Sequence, residues 1–256
     1  MNTRAQQLEA VGRLLDIMDE LRAQCPWDRK QTFESLRHLT IEETYELGDA
    51  ILDGNLEEIK KELGDLLLHI VFYAKLGTEE KAFDLGDIAA SISEKLIFRH
   101  PHIYGDVQVS SAEEVQQNWE ALKLREGKES VLEGVPKGLP AIVKAQRIQD
   151  KAAGVGFDWE HKKDVWDKVE EEMQELQTAI AQQNKSEIEN ELGDVFFALI
   201  NYARFENVSP ESALERTNKK FIQRFQYIEK QALKQGKKLQ SMTIEELETL
   251  WQEAKN

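Results

Sequence analysis

Residues 42–74 read EETYELGDAILDGNLEEIKKELGDLLLHIVFYA, and residues 171–203 read EEMQELQTAIAQQNKSEIENELGDVFFALINYA. At an offset of 129, fifteen of these thirty-three positions are identical without a gap, including Glu42/Glu171, Glu43/Glu172, Glu46/Glu175, Glu62/Glu191, Gly64/Gly193 and Asp65/Asp194. Self-similarity of this kind marks a repeated structural unit, and two copies are too few for a solenoid. Apolar residues recur at spacings of three and four: Leu63, Leu66, Leu67, Ile70 and Val71 in one copy, Leu192, Val195, Phe196, Leu199 and Ile200 in the other. That period predicts amphipathic helices that bury their stripes in a bundle. No segment alternates with period two. The expected fold is all-α, with two tandem copies of one helical module forming four-helix-bundle-like cores on dimerisation.

The repeat extends outward with small shifts. Lys95 and Arg99 share their spacing with Lys220 and Arg224, and Ser111 to Glu114 with Trp119 matches Thr243 to Glu246 with Trp251. Ser/Thr-x-x-Glu is a capping box, so each half is expected to end on a short helix that carries a Trp. The Gly- and Pro-rich stretch of the chain lies at 126–140 and contains Gly127, Gly134, Pro136, Gly138 and Pro140. Domains are therefore expected at 1–125 and 141–256, joined by a linker at 126–140.

A formal net charge of -15 argues against a protein that coats nucleic acid, because phosphate contacts need clustered Lys and Arg. It leaves room for a small phosphorylated substrate, provided that metal ions stand between carboxylates and phosphates. The single cysteine, Cys25, fits a reducing cytosol. With no apolar run long enough to span a bilayer, a cytoplasmic protein without a membrane partner is expected.

The repeated acids carry the chemistry. Glu-Glu-x-x-Glu is followed, sixteen residues after its last Glu, by Glu-x-x-Asp: Glu42, Glu43, Glu46, Glu62 and Asp65, then Glu171, Glu172, Glu175, Glu191 and Asp194. Residues three apart share a helix face. Turns at Gly54-Asn55 and at Gln182-Gln183-Asn184 would fold each helix pair antiparallel, so that four carboxylates face one another. Like charges raise one another's pKa, and a divalent cation resolves the conflict. An all-oxygen set suits Mg²⁺ or Mn²⁺, which keeps waters for attack on phosphorus. Capping of a helix by Thr40 does not account for Glu43, since Val169 replaces that Thr in the other copy while Glu172 persists. His69 has Ala198 as its counterpart, which makes it a core or flank residue and argues against a di-iron site. The Lys95/Arg99 and Lys220/Arg224 pairs suit phosphate oxygens as well as a salt-bridging surface.

Cys25-Pro-Trp-Asp-Arg-Lys-Gln-Thr-Phe33, Arg99-His-Pro-His-Ile-Tyr104, Gly156-Phe-Asp-Trp159 and the two acid motifs together resemble the MazG family of tandem-domain nucleoside triphosphate pyrophosphohydrolases over nearly the whole chain. The resemblance implies a homodimer and Mg²⁺-dependent conversion of NTPs and dNTPs to NMP and pyrophosphate with broad base tolerance. It implies metal ligation by Glu172, Glu175, Glu191 and Asp194, with Glu171, Glu172 and Glu175 as catalytic acids. Lys168, Lys220, Arg224 and Trp251 resemble nucleotide-contacting positions. Glu42, Glu43, Glu46, Glu62, Asp65, Lys95 and Arg99 would form the equivalent first-half site, the second half being the main catalytic one. Relatives can carry a Lys shortly before Glu-x-x-Asp; here Glu187 and Glu189 occupy that stretch and the nearest Lys is Lys185. Two other readings stay open: a narrower pyrophosphatase for modified nucleotides, and a catalytically silent helical module that binds a partner.

Overall fold

The computed structural model describes residues 1–111, 114–115 and 130–255. The chain forms two compact units, Met1–Val109 and Ser110–Asn256. Among the described residues both are built from helices and turns, with no strand. The first unit contains α1 (Arg4–Gln24), α2 (Phe33–Asp53), α3 (Leu56–Glu79), α4 (Leu85–Arg99) and the single turn α5 (Pro101–Tyr104). The second contains α6 (Ala141–Ala153), α7 (Lys162–Ala181), α8 (Lys185–Phe205), α9 (Pro210–Lys234) and α10 (Ile244–Glu253).

Each acid motif lies on a helical hairpin, α2–α3 or α7–α8. The expected turns form, by different means. Gly54 closes α2 in the left-handed region at φ +66°, where a Cβ would be strained, and the Asn55 side chain accepts from the backbone of Glu57 and Glu58 to start α3. In the second hairpin Gln183 takes the left-handed position at φ +55° and Asn184 caps α8. Thr243 and Glu246 form the capping box expected for α10. At the other proposed cap, Glu114 N donates to Ser111 Oγ at 3.2 Å, while Trp119 lies outside the described residues. Thr40 is no cap. It sits inside α2, and its hydroxyl meets Leu36 O, His69 Nδ1 (2.8 Å) and Tyr73 Oη (2.7 Å), so His69 is a buried structural histidine.

The core of the first unit is Met18, Leu36, Val71, Phe72 and Leu76, with α1 and α2 both packed on α3. In the second, α6, α7 and α9 pack on α8, and α10 packs on α9. The apolar stripes are only partly buried. Val71, Val195 and Ile200 are interior, but Leu63, Leu67 and Ile70 remain exposed on α3, as do Leu192, Phe196 and Leu199 on α8. The sequence period spans two rows per helix, and within each unit only one row meets other helices. Within the second unit, residues 131–139 run as turns and bends ahead of α6, held to it where Lys151 Nζ donates to Val131 O and Lys144 Nζ to Lys137 O.

Candidate metal and nucleotide site

The hairpins bring together three of the repeated acids in each unit. Carboxylate oxygens of Glu43, Glu46 and Glu62 lie within 4.8 Å of one another, and so do those of Glu172, Glu175 and Glu191. One Glu of each set is nearly sealed from solvent: Glu62 is 3% exposed and Glu172 7%. Glu62 Oε2 is buried without a hydrogen-bond partner. A buried, unpartnered carboxylate oxygen carries a full desolvation cost. Three carboxylates this close together, with an unpartnered Glu62 oxygen in the first triad, fit the all-oxygen demand of a hard divalent cation.

The electrostatics agree. Burial, then Asp65, Glu46, Glu62 and Glu42, push the Glu43 carboxyl above its ordinary range. Burial, then Glu175, Asp194, Glu172 and Glu187, do the same for Glu191. Asp65 and Asp194 thus stand beside the triads without joining the closest cluster. Glu42 and Glu171 also stay outside, Glu171 turned toward Lys168.

Each triad has one lysine, supplied from opposite helices. Lys61 Nζ on α3 donates to Glu62 Oε1 at 2.8 Å and stands 3.9 Å from Glu58. Lys168 Nζ on α7 contacts Glu172 Oε1 at 2.6 Å and Glu171 Oε1 at 2.8 Å, which drives its pKa up. Lys61 escaped the sequence reading, although its adjacency to Glu62 was the available signal. Its counterpart is Asn190, and that of Lys168 is Leu39, so the repeat alone could not reveal either pairing.

The remaining candidates fall on later helices. Arg224 Cζ lies 5.4 Å from the centroid of the Trp251 ring, and Phe221 stands 5.2 Å from the same ring. Lys220 is on the exposed face of α9, one turn before Arg224. In the first unit Lys95 is exposed on α4 and Arg99 is half-buried at its end.

Residues 31–104 and 161–228 each match the MazG nucleotide pyrophosphohydrolase domain, once per unit. The chain is 40% identical to the nucleoside triphosphate pyrophosphohydrolase of Escherichia coli strain K12, over 97% of its own length and 98% of the relative's. It is 42% identical to the nucleoside triphosphate pyrophosphohydrolase/pyrophosphatase MazG of Thermotoga maritima, over 94% of each chain. With two matched domains, each folded around its own carboxylate triad, the chain belongs to the MazG nucleotide pyrophosphohydrolase family.

Proposed function

We propose that the chain is a Mg²⁺-dependent nucleoside triphosphate pyrophosphohydrolase that converts NTPs and dNTPs to NMP or dNMP and pyrophosphate, with Mn²⁺ able to substitute. The observation that carries this reading is the same three-carboxylate cluster built twice at the same spacing. Glu172, Glu175, Glu191 and Asp194 would hold the cation, and Glu43, Glu46, Glu62 and Asp65 its first-unit equivalent. Such an ion, when bound, supplies positive charge for the phosphates and acidifies water. Water attacks the α-phosphorus and pyrophosphate leaves, with Glu171, exposed at the edge of the triad, taking the proton from that water. Lys168, released from Glu172 when the acids are neutralised, turns its ammonium to phosphate oxygens, with Lys220 and Arg224 as further cations. Trp251 covers the nucleoside.

The reading extends to assembly and place. Domains at 1–125 and 141–256, joined at 126–140, dimerise with a second copy, which covers the exposed apolar rows of α3 and α8. The second domain carries most turnover. A cytoplasmic location fits the lone cysteine, and among the described residues no helix is long and apolar enough to cross a membrane. A panel of NTPs and dNTPs, with products resolved by chromatography, tests the activity. NMP and pyrophosphate should appear with Mg²⁺ and disappear with EDTA; NDP with orthophosphate would contradict the proposal.

A further inference from the structure

The two triads carry the same acids, but their charge is compensated differently. In the second unit Lys168, with a side chain 36% exposed, holds Glu172 Oε1 at 2.6 Å and Glu171 Oε1 at 2.8 Å. Glu172 is the sealed member of that triad, and Glu175 and Glu191 have oxygens within 4.8 Å of its own. An ammonium held there supplies positive charge that the clustered acids need, and a divalent ion must displace it to ligate the same oxygen.

The first unit has Leu39 where Lys168 would stand. Within that triad Lys61 reaches one oxygen only, Glu62 Oε1 at 2.8 Å, and its side chain is 61% exposed. So exposed a pair contributes little and opens readily to water. Glu62 Oε2, in a residue 3% exposed, has no partner. More of the negative charge is therefore uncompensated at the first triad, and a cation gains more by binding there.

The first triad is also fixed by contacts across its hairpin. Thr40 lies one turn before Glu43 on α2, and His69 one turn after Asp65 on α3. The Thr40 hydroxyl donates to Leu36 O at 3.1 Å, so with its single proton used it accepts from His69 Nδ1 at 2.8 Å and Tyr73 Oη at 2.7 Å. These two bonds tie α2 to α3 beside the acids. In the second unit Val169 and Ala198 replace Thr40 and His69, and Tyr202, the counterpart of Tyr73, is bonded to Glu206 at the end of its own helix. Ligands set in place beforehand lose less freedom when an ion binds.

We propose that the first triad is a nucleotide-independent site for a hard divalent cation, Mg²⁺ or Mn²⁺, filled ahead of the second, and that the second takes its ion together with a polyphosphate that draws Lys168 off Glu172. The part about polyphosphate rests on the triphosphate reading of the second triad; the part about the first triad does not. An ion at Glu43, Glu46 and Glu62 stabilises the α2–α3 hairpin whether or not substrate is present.

The test counts ions before any nucleotide is added. Mn²⁺ binding to the full chain is followed by electron paramagnetic resonance of the free ion for the parent, Glu46→Gln, Glu175→Gln and Lys168→Met. Glu46 and Glu175 are exposed, so neither glutamine disturbs a core. The parent should show one site at least about tenfold tighter than the other. Glu46→Gln should abolish the tight site, Glu175→Gln should leave it, and Lys168→Met should strengthen the weak one by at least about tenfold. Two equal sites, or a tight site lost in Glu175→Gln, overturns the first-unit assignment and leaves the triphosphate reading standing. A weak site unchanged in Lys168→Met overturns the part given to that lysine. In a separate calorimetric titration, the Mn²⁺ complex of inorganic tripolyphosphate should bind Glu46→Gln and fail to bind Glu175→Gln. A parent that does not bind this complex overturns the triphosphate reading, and the role of polyphosphate with it, without touching the order found for Mn²⁺ alone.

Discussion

Replacing Glu175 by glutamine keeps the shape of the side chain and removes one charge from the second triad. The structure gives this substitution two opposite consequences. In the metal-free protein, Glu172 and Glu175 have oxygens within 4.8 Å. Two ionised carboxylates at that distance repel by about 3 kcal/mol at an effective dielectric of about 20. Solvent and salt reduce this to roughly 1–2 kcal/mol because Glu175 is exposed. The variant should therefore melt a few degrees higher than the parent in EDTA. With Mg²⁺ the order reverses, because a ligand is lost. Turnover should fall at least about a hundredfold, or about 3 kcal/mol. The matched substitution Glu46→Gln should give a similar gain in the metal-free melt but a much smaller loss of turnover. The assay is kcat for pyrophosphate release at saturating Mg²⁺, paired with thermal melts in EDTA. Equal losses of kcat would mean two equivalent sites, and a larger loss from Glu46→Gln would reverse the assignment. A lower EDTA melting temperature for Glu175→Gln would refute the repulsion argument itself.

Three further outcomes follow. The orphaned Glu62 Oε2 implies that the first triad binds a cation too: Mn²⁺ binding that remains in Glu175→Gln, followed by electron paramagnetic resonance, should drop at least about tenfold on adding Glu62→Gln, and no change would remove the first site. Glu43 and Glu191 are raised, by burial first and neighbouring acids second, so the folded chain binds protons more tightly than the unfolded one there. Metal-free stability should then rise as pH falls from neutral toward the ordinary glutamate range, while Mn²⁺ affinity falls. Glu79 acts oppositely and lower down, since its hydrogen bond from Arg22 depresses its pKa and its contribution is lost only as pH falls through that depressed value. Melts in EDTA that decline from about pH 7 to about pH 5 would contradict this. Light scattering should give about twice 29.5 kDa at micromolar concentration, and a value near 29.5 kDa would contradict the homodimer.

Much of this architecture is legible in the chain because it is local. Helix period, Gly54-Asn55, the Asn184 cap and the i, i+3 spacing of acids each act within a few residues, so the hairpins and the grouping of Glu43, Glu46 and Glu62 follow from sequence. Contacts made across the fold are hidden. Nothing local pairs Asp158 with Arg204, or Gln149 with the carbonyl of Phe197, 48 residues away. The stripes on α3 and α8 show which faces are apolar, but not that half of each finds no helix within its own unit. The resemblance makes Lys168 a nucleotide contact, which its ion pairs neither add to nor remove. In the structure it neutralises Glu171 and Glu172, a role that its i, i+3 and i, i+4 spacing permits but does not single out.

The central claim is attack of water on the α-phosphorus, and oxygen labelling tests it most directly. ATP is hydrolysed by the full chain with Mg²⁺ in H₂¹⁸O, and the products are separated and weighed by mass spectrometry. One ¹⁸O in AMP with unlabelled pyrophosphate is the expected result, whereas label in pyrophosphate, or release of labelled orthophosphate with ADP, would contradict it.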